Sequence, residues 1–447
     1  MSFPRYPKYK SSGVNELGDL PEHWDVKPLK HFAGIDSCGC YGVDAEEGEH
    51  VLPVATTAQI DADGRFVVPD MPMRGFTPAE IRRYGCGDGD ILVVKSSGSA
   101  TNIISGKAGL VTQDTPPFVF SNFLMRIRPT NGVANPRFIY SLLRSHLTRQ
   151  RVEQMCSTTT YPNLKVSEYT SAPLPLPPVD EQTKIASFLD RETSKIDGLV
   201  GEQRRLIELL KEKRQAVISH AVTKGLNPHA PLKPSGIEWL GDVPTHWEVL
   251  KGSLIGTLFG SEQVPEESVC DEGDLPFIKV GSMSLDSFAI ESWDWFVDRA
   301  VAAQYKPRSG YIVFPKRGAA IFTNKVNIVE RPSLIDPNLM GWEIGDKASP
   351  KFIAYTLKSR KLDELADVST VPQINNKHIA PERFPIPPLD EQEAIVAFID
   401  AETAKLDALT VEAERGIKLL QERRTALISA AVTGQIDVRG LVATEAA

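Results

Sequence analysis

The 447-residue sequence predicts an α+β fold with a pseudo-twofold internal repeat: two similar globular domains and two long antiparallel coiled-coil helices. Three observations predict it. First, PLPPVDEQTKIASFLDRETSKIDGLVGEQRRLIELLKEKRQAVISHAV, from Pro175 to Val222, returns from Pro385 to Val432 with 26 identities in 48 positions at an offset of 210. Second, SGVNELGDLPEHW from Ser12 returns as SGIEWLGDVPTHW from Ser235, at an offset of 223. A repeat this long makes each unit a domain plus a helix, not a solenoid turn. Third, apolar residues after each PPxDEQ recur at the alternating four-three spacing of a coiled coil.

These markers divide the chain in order. An N-terminal arm covers 1–20, a first domain 21–176, a central helix 177–222 and a linker 223–243. A second domain covers 244–386, a C-terminal helix 387–432 and a tail 433–447.

Both helix starts are marked. Pro177-Pro178 and Pro387-Pro388 cannot continue a helix backwards. Asp180 and Asp390 are expected N-caps, with Glu181 and Glu391 in the first turn. The first seam runs through Ile185, Leu189, Ile196, Leu199, Leu206, Leu210 and Val217, with Glu192, Gln203 and Lys213 in its gaps. The second runs through Ile395, Ile399, Leu406, Leu409, Leu420 and Leu427, with Glu402, Ala413 and Arg423 between. Forty residues make a rod of roughly 60 Å. Such a helix needs a partner, and its own repeat is the obvious one, antiparallel under a pseudo-twofold axis.

Strands are expected at Val51–Ala55, Asp90–Val94, Ala108–Val111 and Phe123–Ile127, answered by Phe277–Val280, Tyr311–Phe314, Val326–Val329 and Leu339–Ile344. A helix follows each set, Asn135–Arg144 and Ser349–Lys358, where Asn or Ser precedes Pro at the first helical position. Two loops then draw notice: KSSGSATN (Lys95–Asn102) and PKRGAAIFTN (Pro315–Asn324), aligned on Gly98 and Gly318. Glycine permits close backbone approach, and the flanking donors suit phosphates and base edges. The candidate ligand contacts, which would be DNA contacts if the ligand is a nucleic acid, are Lys95, Ser97, Asn102 and Lys107 in the first domain. In the second they are Lys279, Lys316, Arg317, Asn324 and Lys325. A solvated hairpin is the bland alternative for both loops.

The net charge of −8 argues against a uniformly basic nucleic-acid binder, though a local basic face can coexist with an acidic total. Five cysteines, an odd number and scattered, are not a disulfide framework, and point to a reducing, cytoplasmic setting. Cys38-Gly39-Cys40, with His23 or His31, has no common zinc spacing, so idle thiols are favoured over a metal. No apolar run suits a membrane span, and MSFPRYPKYK lacks the apolar centre of a secretory signal. No phosphate loop, dinucleotide fingerprint, HExxH or G-x-S-x-G occurs. Asp336-Pro337-Asn338 lacks the aromatic of an adenine-methyltransferase motif, and Asp90 with Lys95 lacks the second carboxylate of a nuclease.

The duplicated openings SGVNELGDLPEHW and SGIEWLGDVPTHW resemble the specificity subunits of Type I restriction-modification systems. So do the PLPPVDEQ and PIPPLDEQ junctions and the ending RRTALISAAVTGQIDV. The resemblance covers essentially the whole chain. It implies two target recognition domains, each reading half of a bipartite double-stranded DNA sequence, with the helices acting as ruler and dock. It implies two methyltransferase and two restriction-translocase partner subunits; S-adenosylmethionine, ATP and magnesium would belong to those partners. The chain itself would be catalytically silent, with no cofactor or metal of its own. The family often has an Arg with glycines in the loop; Arg317-Gly318 keeps this, whereas the first loop has Ser97-Gly98. The linker Ala221–Asp242 corresponds to the C-terminal tail joined to the N-terminal arm, a cyclic symmetry. Two other readings compete: a coiled-coil interaction protein without DNA binding, and a fused restriction enzyme with an unrecognised catalytic motif.

Overall fold

The computed structural model describes residues 3–441 except 62, 63, 69, 97, 100, 101, 157–162 and 368–370; residues 98, 99 and 102 are described in backbone only. Two compact units emerge. One joins Met1–Gln203 to Arg415–Ala447, and the other is Arg204–Glu414.

The first unit is built on an antiparallel four-stranded sheet of β1 (Ala33–Asp36), β2 (Ile91–Val94), β3 (Ala108–Leu110) and β4 (Leu124–Pro129), in the order β3-β2-β4-β1. The ILVV run of β2 is buried at every residue, which is why it reads as continuously apolar rather than alternating. Helix α1 (Pro136–Leu143) packs Phe138, Ile139, Leu142 and Leu143 inward. Its N-cap Asn135 accepts from the Arg137 and Phe138 amides at 3.0 and 3.2 Å. A smaller sheet holds His50–Ala55, Met73–Phe76 and Val119–Phe120. Strand Asp25–Pro28 pairs with Pro173–Leu176, so the domain begins and ends side by side where helix α2 (Val179–Lys224) starts.

The second unit repeats this plan. Its strands β5 (Gly256–Phe259), β6 (Tyr311–Pro315), β7 (Asn327–Val329) and β8 (Leu339–Ile344) lie in the order β5-β8-β6-β7, the same order read from the other edge. A smaller sheet holds Val269–Cys270, Leu275–Ile278, Phe296–Val297 and Leu334–Ile335. Helix α3 (Pro350–Arg360) follows, although Ser349 makes no side-chain cap bond. Glu248–Lys251 pairs with Arg383–Ile386 just before helix α4 (Leu389–Val432).

The two long helices begin one residue before the expected Asp caps. Asp180 and Asp390 therefore lie in the first turn, and the Pro178 and Pro388 carbonyls accept the Gln182 and Gln392 amides, each at 2.9 Å. The next two residues of each DEQ explain the motif. Gln182 is fully buried; its Oε1 accepts from the Asn135 amide at 2.8 Å, and its Nε2 donates to Val133 and Pro177 carbonyls at 3.0 and 2.8 Å. Gln392 does the same with the Ser349 amide and the Lys347 and Pro387 carbonyls, at 2.8, 3.2 and 2.8 Å. Glu181 receives Tyr6 Oη, His23 Nε2 and Trp24 Nε1, whereas Glu391 receives His246 Nε2 at 2.7 Å. Burial and then the Glu181 carboxylate push the Tyr6 phenol upward, so it stays a donor. Each long helix then ends near a left-handed glycine, Gly434 or Gly225, at φ of 73° and 75°. A Cβ there would press on Pro21 and Trp24, or on Trp247, so glycine serves both conformation and fit.

Within the first unit α2 and α4 run antiparallel: Asp197 meets Arg424 at 2.9 Å, and Gln203, further along α2, lies where a side chain on Gly416, earlier in α4, would touch it. The second unit holds the repeat-equivalent ion pair, Arg214 with Asp407. Of the expected seam, Ile185, Leu189, Ile196, Leu210, Ile395, Ile399, Leu406 and Leu427 are buried, and Val217 and Leu420 are half-buried. Leu199, Leu206 and Leu409 are instead 53, 42 and 53% exposed, which corrects their assignment. The residues facing inward are Val200 and Ile207 in α2 and the half-buried Thr410 in α4. The reason is the period. From Gln182 and Ile185 a straight helix of 3.6 residues per turn reaches 196, 200, 203, 207 and 210. A strict heptad of 3.5 reaches 199 and 206 instead. Among the described residues no helix is long and apolar enough to cross a membrane.

Replacing Gln182 or Gln392 by alanine removes three buried hydrogen bonds and should cost about 2–4 kcal/mol at roughly 1 kcal/mol each. Urea denaturation of each variant measures this; an unchanged midpoint would show that the amide is dispensable.

Candidate nucleic-acid interface

In the second unit β6 ends at Pro315, and the chain emerges as Lys316-Arg317-Gly318. Three backbone bonds hold that exit. The Lys316 amide donates to the Asn338 carbonyl at 2.8 Å, Ile374 donates to Lys316 at 2.9 Å, and Gly318 donates to Pro372 at 2.9 Å. Gly318 has φ 74°, a turn that a side chain would strain. Arg317 projects as an exposed residue. Lys316 is half-buried; burial, and next the Arg317 cation beside it, lower its pKa, while Asp336 opposes them. Asp336 in turn donates its amide to Ile278, which precedes Lys279. The turn 336–338 therefore brings Lys279, Lys316 and Arg317 to one end of the unit. Lys279 lies over Trp295, its Nζ 3.6 Å from the ring centre.

Two other candidates are engaged internally. Asn324, at φ 51°, donates from Nδ2 to the Lys358 carbonyl at 2.8 Å and accepts from the Leu362 amide at 3.0 Å. Lys325 donates to the Met283 carbonyl at 2.7 Å. These bonds brace the loop, and in this conformation Arg317, Lys316 and Lys279 are better placed to meet a ligand.

The first unit presents the same frame. The Lys95 amide donates to Phe123 at 2.9 Å, Leu164 donates to Lys95 at 2.7 Å, and Val94 donates to Lys107 at 2.9 Å. Lys95 and Lys107 are thus neighbours at one end of the sheet, both half-buried. Ser97 lies outside the described residues, as does the side chain of Asn102, whose backbone pairs with Ser99. The backbone bonds equate Lys95 with Lys316 and Ser96 with Arg317, since Ser96 bridges Asn163 as Arg317 bridges Gln373. This shifts the glycine-based alignment of Gly98 with Gly318 by one residue, because hydrogen-bonded strand ends, not glycines, set the frame. Ser96 occupies the position of the arginine.

Sequence reasoning passed over two exposed aromatics beside these exits: Phe322 at 63% and Phe123 at 51%. The sequence places Phe123 at the opening of a strand that begins instead at Leu124, and Phe322 belongs to no periodic segment, so neither is marked as an exposed ring.

Asp90 is buried and receives Arg128 Nε and Nη2 at 2.7 and 2.6 Å, a structural pair rather than a nuclease carboxylate. Gly39, between the two thiols, is pressed on the Phe120 backbone, which gives Cys-Gly-Cys a packing reason. Cys40 Sγ donates to Glu80 Oε1 at 3.3 Å. Among the described residues no group of three His, Cys, Asp or Glu side chains is placed to hold a metal.

Comparisons with known proteins agree with the duplicated plan. The model of the Type I restriction modification DNA specificity domain matches residues 21–208 and again 244–419. The Type I restriction enzyme MjaVIII specificity subunit of Methanocaldococcus jannaschii is 23% identical over 97% of this chain and 98% of its own. The EcoKI specificity subunit of Escherichia coli K12 is 21% identical over 94% and 91%. A chain from a type I R-M system, described for its complex assembly and conformational transition, superposes with a TM-score of 0.70 at 18% identity, covering 92% of this chain and 98% of that one. The HsdS subunit of Thermoanaerobacter tengcongensis gives 0.53 at 18% identity, over 93% and 98%. Two domain matches that together span most of the sequence, on a fold shared with those structures, show that this chain belongs to the Type I restriction-modification DNA specificity family.

Proposed function

We propose that the chain is the sequence-specific DNA-recognition subunit of a Type I restriction-modification complex, each unit reading one half of a bipartite target. The carrying observation is the duplicated domain, in which the central strands β2 and β6 end in equivalently held loops beside Lys95 and Lys316-Arg317. Backbone is held so that side chains at these exits can differ between units, as two different half-sites require. A total charge of −8 is compatible with this, because binding responds to the local field.

By its likeness to proteins named specificity subunits, the chain does no chemistry itself. It serves two methyltransferase and two translocase-nuclease subunits, to which S-adenosylmethionine, ATP and magnesium belong. Leu199 and Leu419 in the first unit, and their repeat equivalents Leu409 and Leu209 in the second, are 53, 56, 53 and 52% exposed. Apolar side chains held open on a helix surface suit a docked partner. The cytoplasm is the setting such a complex requires.

Arg317→Ala should weaken binding of the assembled complex to its target. If Arg317 grips a guanine edge, discrimination at one position of one half-site should fall by about 1–3 kcal/mol. If it meets a phosphate, all sequences should weaken alike and the salt slope should flatten. Titrations across base substitutions and salt separate the two. Wild-type affinity and salt slope in both Arg317→Ala and Lys316→Ala would move the DNA-reading surface elsewhere.

Adding one heptad after Leu199 and another after Leu409 should lengthen the unspecified centre of the target. The helices gain roughly 10 Å at 1.5 Å per residue, or about three base pairs. Mapping of methylated bases reads the spacing directly. An unchanged centre in an active complex would refute the helices as a ruler.

A further inference from the structure

The second unit's loop carries a feature that cation contacts do not use. At 63%, Phe322 is the most exposed large apolar side chain among the described residues. Single exposed apolar residues are ordinary, so exposure alone means little. Here the side chain stands on a braced tip. Its neighbour Ile321 is fully buried and plugs the core below. Gly318 is tied to Pro372, Thr323 Oγ1 donates to the Ala320 carbonyl at 2.6 Å, and Asn324 closes the turn onto Lys358 and Leu362. The preceding residues, Gly318-Ala319-Ala320, are all small. Within the loop 318–324 the phenyl ring is therefore the large side chain left exposed, since Ile321 is buried. Lys316 and Arg317 precede it, at the same strand exit.

An apolar ring on a rigid tip beside two cations is poorly suited to water and well suited to a stacked polyanion. The cations meet phosphates, while the ring leaves water by stacking against or between bases. We propose that Phe322 is a wedge that inserts at a base step of the half-site read by the second unit, unstacking it and so making recognition there sensitive to how readily that step deforms. The first unit has no aromatic within Lys95–Asn102, and its exposed Phe123 lies instead in the turn before β4, so a wedge on the loop that leaves the central strand belongs to the second unit alone. This rests on the DNA-recognition function proposed above and adds to it a positioning residue and a mode of readout.

The test uses the chain assembled with its methyltransferase partner and duplexes bearing the motif mapped from genomic methylation. 2-Aminopurine is placed in turn at adenines through both half-sites. With the wild type, fluorescence should rise on binding at steps in one half only. Phe322→Ala should abolish that rise and lower specific affinity about ten-fold, Phe322→Trp should restore both, and Leu254→Ala, which removes another side chain that is 61% exposed, should change neither. Wild-type fluorescence and affinity in Phe322→Ala would overturn the wedge while leaving DNA recognition intact. Loss of methyltransferase co-purification in Phe322→Ala without DNA would overturn it in favour of a protein contact. Failure of the wild-type complex to prefer any methylated-motif duplex would instead overturn the recognition function itself.

Discussion

A buried glutamine amide is the constraint on which each unit depends. Gln182 and Gln392 sit at the first turn of a long helix with no exposure. Such a group is tolerable only when its hydrogen bonds are made, and each side chain makes three to backbone. Two of these reach the segment that opens the domain's own helix, α1 or α3. One amide thus joins the start of the recognition domain's helix to the start of the long helix and fixes their relative angle. The neighbouring Glu181 and Glu391 bind the EHW and THW turns, tying in the other end of the domain. The motifs repeated most faithfully in the sequence are therefore the ones that make this joint.

That joint frees the rest of the domain to vary. The central sheets have the same strand order, and the exits of β2 and β6 are held by matching backbone bonds. Backbone hydrogen bonds do not depend on side-chain identity, so Lys95-Ser96 and Lys316-Arg317 occupy one frame with different chemistry. Bracing residues such as Asn324 and Lys325 spend their polar groups inward, which makes the exposed tip rigid rather than reactive.

Much of this was legible in the sequence. The repeat fixed the plan, and the apolar runs at Ile91–Val94, Tyr311–Pro315 and Leu339–Ile344 fell where expected because buried central strands leave a local signature. The edge strands Ala33–Asp36 and Gly256–Phe259 did not, since neither is a sustained apolar run. The helix seam was half legible. Positions such as Ile196 and Leu210 serve both periods, but Leu199 and Val200 are adjacent apolar residues, and only the rotation set at Gln182 decides between them. The loops were legible as loops; which residue faces which depended on pairing with 163 and 373, far along the chain.

The first unit is made of both ends of the chain. Asp437 donates its amide to Pro4 at 2.8 Å, Tyr9 Oη donates to Gly434, and Ile436 and Val438 are buried in the core that holds Leu20 and Trp24. The second unit, 204–414, is continuous. A ribosome releases sequence in order, at about 5–20 residues per second. The second unit can therefore complete its core as soon as its last helix half emerges. The first must hold Tyr6 and Trp24 partly uncovered until residues beyond 415 arrive, so the half of the protein synthesised first is the half that finishes folding last.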